Sequence, residues 1–141
     1  MTKFFVFSFV LFSINSALAL PPVMLANPQI RACNTVGGQF AVVDSDFEQI
    51  GLCLLGPSIV GAIDILNKDA ALEIPLSLYN YRKGVMSCSP HNLTKLTTLS
   101  GNPLLVCLYS DGSLIDIDTL NSGKASLRNV ELNRALAIRI K

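Results

Sequence analysis

Apolar positions along this chain come in short alternating or helically spaced runs broken by turn residues, the pattern of small strands and short helices. Asn27-Pro28 predicts a helix start, an N-cap followed by proline where the missing N–H costs nothing. Ile30, Cys33 and Val36 share the inner face of that helix, and Gly37-Gly38 ends it. Gln39 to Asp44 and Gln49 to Leu55 read as strands around the polar hairpin loop Asp44-Ser45-Asp46. After the turn Gly56-Pro57-Ser58, the stretch Ile59 to Asn67 suits a helix or a strand, and the spacing of Ile59, Ile63 and Leu66 favours a helix capped by Ser58. Further on, a short helical or irregular piece at Met86 to Asn92 precedes strands at Lys95 to Leu99 and Pro103 to Tyr109, joined by Gly101-Asn102. Beyond the Asp111-Gly112 turn, Leu114, Ile117 and Leu120 keep helical spacing, although Leu114 to Ile117 equally suits a strand. Leu136, Ile138 and Ile140 alternate with Ala137, Arg139 and Lys141, the mark of a strand exposed on one face, with a helix as the alternative for this end of the chain.

Two of these stretches are built alike. Counted from Cys53 and from Cys107, Leu falls one residue on (Leu54, Leu108), Ile ten (Ile63, Ile117) and Asp eleven (Asp64, Asp118). Leu falls thirteen on (Leu66, Leu120) and Asn fourteen (Asn67, Asn121). A second cysteine stands upstream in each, Cys33 and Cys88. The fold this predicts is α+β: two small related units, each a short helix, a β-hairpin and a second short helix or strand. The units span 20–69 and 85–123, with 70–84 as linker and 124–141 as the terminal strand or helix.

Residues 1–19 read as a signal peptide: Lys3, the apolar run Phe4 to Phe12, and small residues at Ala17 and Ala19 before the expected cut. That run is shorter than the roughly twenty apolar residues a membrane span needs. The expected mature chain of about 120 residues suits one compact domain or two very small packed units. Without Lys3 it holds ten basic and ten acidic residues. A neutral chain with no basic run carries no electrostatic footprint for nucleic acid or an anionic membrane. The expected location is the periplasm of a Gram-negative cell or its surroundings, with no stable membrane span after cleavage.

An even number of cysteines in an oxidising compartment favours disulfides. The duplication favours Cys33 with Cys53 and Cys88 with Cys107, each loop contributing on the order of 3 kcal/mol. Cross-pairing between units and reduced, buried cysteines stay open as alternatives. No two cysteines have metal-ligand spacing and His91 is the lone histidine, so neither a metal nor another cofactor is expected.

Asn27-Pro28, Cys33, Gly37-Gly38 and Gly51-Leu52-Cys53 resemble the opening of the small bacterial domain-of-unknown-function family 333, whose members are often labelled haemolysins. Cys107-Leu108-Tyr109-Ser110-Asp111-Gly112-Ser113 resembles that family's cysteine followed by an aromatic-Pro-Asp-Gly-Ser turn. Together these cover most of 27–67 and 88–121 and imply a tandem copy. The chain departs from the family where a third cysteine stands, having Gly61 and Ile115 there, and in having no tryptophan. The resemblance implies a membrane-active toxin as one possible role and carries over no catalytic mechanism.

Chemistry-bearing residues are few. His91 could act as a base beside Cys88 or a serine, but Ser89-Pro90-His91-Asn92 reads as a turn with no third group to orient the ring. Asp64 and Asp118 could form a carboxylate pair for glycoside hydrolysis, although their place in the repeat also explains them as capping or solvent-facing residues. Asp116 and Asp118 lack the fuller oxygen-ligand pattern of a calcium loop. Gly37-Gly38 lacks the spacing of a phosphate-binding loop. Asn92-Leu93-Thr94 has the form of a glycosylation sequon without consequence in a bacterial chain. Tyr79, Tyr81 and Arg82 form the best candidate contact surface, because aromatics and arginine dominate binding hot spots. The expectation is a non-enzymatic exported binding or interaction protein, an inhibitor or envelope-associated factor, that recognises a protein or an envelope component. A haemolysin-like toxin and a small hydrolase are the alternatives.

Overall fold

The computed structural model describes residues 27–140, so the expected signal peptide at 1–19 lies outside the described residues. Helix α1 (Pro28–Thr35) starts where the Asn27 side chain accepts the Gln29 amide hydrogen, with Pro28 in the first turn. It ends at Gly37, whose φ of +86° only glycine takes without strain. Strands β1 (Gln39–Asp44) and β2 (Gln49–Leu55) form the expected hairpin. A third strand, β3 (Ser58–Gly61), folds back on β2 and leads into α2 (Ala62–Asn67). Helix α3 (Leu76–Lys83) follows, and a 3-10 turn at Pro90–Asn92 opens the second meander of β4 (Leu93–Thr98), β5 (Pro103–Leu108) and β6 (Leu114–Asp116). Helix α4 (Ile117–Ser122), a 3-10 turn at Leu127–Asn129 and α5 (Val130–Ala137) complete the described chain. The fold is α+β.

All strand pairings are antiparallel, and the order β1-β2-β3-β6-β5-β4 closes into a barrel. The two meanders meet at two seams: β1 against β4, with Val43 opposite Thr98, and β3 against β6, with Val60 opposite Ile115. Alternation along the strands divides the buried residues into two cores. One fills the barrel with Val43, Leu52, Leu96, Val106 and Leu114. The other lies outside it, where Cys53, Leu55, Val60, Cys107 and Ile115 face Ala32, Ile65, Leu78, Leu120 and Leu132 of the five helices. Burying both faces explains why β2 and β5 read as nearly continuous apolar runs.

Both disulfides join the cysteines within one segment, Cys33 to Cys53 and Cys88 to Cys107. The first ties α1 to β2; the second ties the irregular stretch before Pro90 to β5. Gly38 stands against the first. A Cβ there would lie 2.4 Å from the Cys53 sulfur and 2.8 Å from that of Cys33. The two glycines therefore divide the work: Gly37 turns the chain and Gly38 leaves room for the bridge.

Three expectations change. Ile59 to Leu66 is not one helix, because Ile59 and Val60 pair with β2 and Val60 reaches β6 before the chain coils at Ala62. Of the two readings for the end of the chain, the helix holds: α5 runs to Ala137 with Leu132 and Ala135 buried at helical spacing, and 138–140, read as part of a strand, is irregular. Finally, the stretch read as a linker carries α3, whose Leu78 and Tyr81 enter the outer core. Lys68, also buried, gives its ammonium to the Asp69 carboxylate and the Ile138 carbonyl, fastening the C-terminal segment to α2.

Candidate functional site

The β3–β6 seam ends in two buried carboxylates. Asp64, in the first turn of α2, accepts the Leu114 amide hydrogen of β6 at 2.9 Å and the Ser77 hydroxyl at 3.0 Å. Asp116, at the end of β6, accepts the Ile59 amide hydrogen of β3 at 3.0 Å and also bonds Thr119, capping α4. Each meander thus supplies a side chain that satisfies an amide in the other, which burial would otherwise leave costly. Gly61 makes the first arrangement possible, since a Cβ there would lie 2.6 Å from a carboxylate oxygen of Asp64. Burial pushes Asp64 up to about 7, against the lowering effect of its hydrogen bonds. Burial also raises Asp116, opposed by its hydrogen bonds and by the Arg128 guanidinium 3.9 Å away.

Asp64 is also part of the floor of a cleft. Helix α3 begins at Pro75 with no side chain of its own to cap it, and its first amides are met from the β5–β6 turn. Leu76 donates its amide hydrogen to Asp111 at 2.8 Å, and Ser77 donates its amide hydrogen to the Ser113 hydroxyl oxygen at 2.9 Å. Ser113 donates its hydroxyl hydrogen to Asp111 at 2.6 Å. Partial burial would raise the Asp111 carboxyl, but the Leu76 amide and the Ser113 hydroxyl and amide outweigh it and hold the group below its ordinary value. The result is a continuous network, Asp111–Ser113–Ser77–Asp64, under a cavity of about 760 Å³. Ile63, Leu72, Ile74 and Tyr79 line that cavity and are all exposed, Leu72 at 96 %. Glu73 lines it too.

The serines of this network are buried, and their hydroxyls donate to carboxylates, Ser77 to Asp64 and Ser113 to Asp111. Asp64 and Asp118 do not converge. Asp64 lines this cleft, Asp118 lines a separate cavity of about 490 Å³ beside Lys95 and Leu105, and His91 lines neither. The structural counterpart of Asp64 across the seam is Asp116, two residues from the position that the repeat picks out. Among the described residues no group of three His, Cys, Asp or Glu side chains is placed to hold a metal ion, and no helix is long and apolar enough to cross a membrane.

No family model, curated protein or solved structure matches this chain. The site must therefore be read from its own residues. Of the expected contact surface, Tyr79 is half exposed on the cleft rim, with the Lys83 ammonium over its ring at 5.6 Å. Arg82 turns back to the Lys68 carbonyl at 3.2 Å. Tyr81 is 1 % exposed and donates to Asn133 at 2.8 Å, which removes it from any contact surface; burial pushes its phenol up to about 12. Sequence reasoning missed Asp111, Ser113 and Ser77 as a network, and Leu72 and Ile74 as a rim. Two signals were present: an aspartate inside the apolar run Ile59 to Leu66, and two large apolar residues in a stretch with no period.

Proposed function

We propose that this protein is an exported, non-enzymatic binding module, free in the periplasm or released from the cell, that holds its ligand in the cleft between α3 and the Asp111–Ser113 turn. The observation that carries the reading is the contrast within that cleft. Its polar floor is hydrogen-bonded throughout and buried at Asp64, Ser77 and Ser113, whereas Ile63, Leu72, Ile74 and Tyr79 stand exposed around an open space of about 760 Å³. Exposed apolar side chains gathered round a concave, preformed polar base are the ordinary anatomy of a binding site. The two disulfides fit an oxidising compartment.

The scaffold is one barrel assembled from two related units, each a disulfide-tied three-stranded meander followed by a short helix. Matching cysteine, apolar and turn positions support that reading, as does the reciprocal bracing by Asp64 and Asp116. We further propose, on the residue likeness at 27–53 and 107–113 alone, descent from a tandem copy of family 333, altered at Gly61, where a cysteine side chain would collide with Asp64.

The test is nuclear magnetic resonance of isotope-labelled protein titrated with small aliphatic and aromatic fragments. Shifts are expected at Ile63, Leu72, Ile74 and Tyr79 and lost in Leu72→Ser. Shifts confined to another surface would sink the reading.

A further inference from the structure

We infer that the cleft takes a peptide segment of a partner protein in which apolar side chains alternate with lysine or arginine. This rests on the cleft being the binding site and adds the chemistry of its occupant. The rim supplies the apolar half: Leu72 and Ile74 from an irregular stretch, Ile63 from α2 and Tyr79 from α3 all line the space, so an apolar side chain entering it meets carbon from three segments.

The charged half comes from Glu73 and Asp111, both exposed on the cleft; Asp64 beneath them is buried and engaged by Ser77 and Leu114. Among the described residues no lysine or arginine lines the cleft, and neither carboxylate has a cation within ion-pair distance. Lys83 lies over the Tyr79 ring at 5.6 Å and is not among the residues that line the cleft. An acidic ligand would meet uncompensated like charge here, and a neutral one would leave the Glu73 carboxylate without a counter-charge. A cationic side chain flanked by apolar ones satisfies both halves at once.

The experiment compares three capped pentapeptides on the intact protein: Leu-Arg-Leu-Lys-Leu, its neutral analogue with citrulline and norleucine at the charged positions, and Leu-Glu-Leu-Glu-Leu. Labelled-protein titration is expected to map the cationic peptide to Ile63, Leu72, Ile74 and Tyr79, at least fivefold tighter than the neutral one, with no binding of the acidic one. Glu73→Gln should weaken the cationic peptide about threefold or more and leave the neutral one unchanged. Asp111 also caps α3, so Glu73, which has no hydrogen-bond or ion-pair partner among the described residues, is the cleaner variant. Leu72→Ser should weaken both peptides. Equal affinity of the cationic and neutral peptides, both lost in Leu72→Ser, overturns the ligand class while leaving the cleft as the binding site. No shift at the cleft with any peptide overturns the ligand class as well. Leu72-dependent attachment to phosphatidylcholine vesicles without peptide binding would assign the rim to a lipid surface and overturn it too.

Discussion

The Asp64 carboxylate accepts the backbone amide hydrogen of Leu114 at 2.9 Å, so a side chain from the first meander completes the hydrogen bonding of a strand in the second. Asp116 returns the favour to Ile59. A seam with one paired position, Val60 opposite Ile115, is thereby braced at both ends by groups that are not backbone.

That brace should respond to pH. Asp64 ionises at about 7 in the folded protein and near its ordinary value of 3.8 when unfolded, so between those values the folded state holds the extra proton. Stability from this group is complete below pH 4 and is lost as pH rises through 7, at about 1.4 kcal/mol per pH unit. Urea unfolding of wild type and Asp64→Asn at pH 4 and pH 8 should show the variant gaining about 3 to 4 kcal/mol relative to wild type at the higher pH. A difference that does not change with pH would refute the account.

Asn129 should be among the most sensitive polar positions. It is buried, donates to the Thr119 and Gly123 carbonyls at 2.9 and 2.8 Å, and accepts the Ser58 hydroxyl at 2.7 Å. Asn129→Ala strands three buried groups at once and is expected to cost about 3 kcal/mol in chemical denaturation.

Adjacent glycines should fail for different reasons. Gly37→Ala meets nothing within 4 Å and pays only for its φ of +86°, about 1 kcal/mol, with Gly37→Asn costing less. Gly38→Ala pushes a methyl group into both bridged sulfurs and the Leu55 side chain, which cannot swing away, and is expected to cost about 3 kcal/mol. Thermal unfolding of the three variants checks the order.

The two tyrosines of α3 should separate stability from binding. Tyr81→Phe loses a hydrogen bond to Asn133 and is expected to cost about 1 kcal/mol without altering the cleft. Tyr79→Ala, on the rim, should change stability by less than that and weaken the cationic pentapeptide severalfold.

How much of this was legible in the sequence depends on range. Local signals worked: Asn27-Pro28 starts α1, Gln39 to Asp44 and Gln49 to Leu55 are strands, and the cysteines pair within each segment. Where a long-range partner decides, periodicity misled. Ile59 and Val60 suit a helix or a strand, and only β2 and the distant Ile115 select the strand. Tyr79 and Tyr81 look equivalent two residues apart, yet a helix turns them to opposite environments. Asp64 and Asp118 match in the repeat, but it is the turn of α2 against β6 that buries the first and leaves the second in solvent. The cleft floor joins residues 64, 77, 111 and 113, and no local pattern announces a network of that span.

Because β1 closes on β4 and β3 on β6, the first meander has no finished edge of its own. A chain synthesised from its N terminus therefore carries two open strand edges from the completion of Gly61 until Asp116 emerges, and edges of that kind recruit other chains. The bridge from Cys33 to Cys53 lies wholly within that early portion and can close before the barrel does. A fragment ending at residue 69 should consequently keep its disulfide and still self-associate, with its two raw edges finding each other across molecules instead of finding β4 and β6.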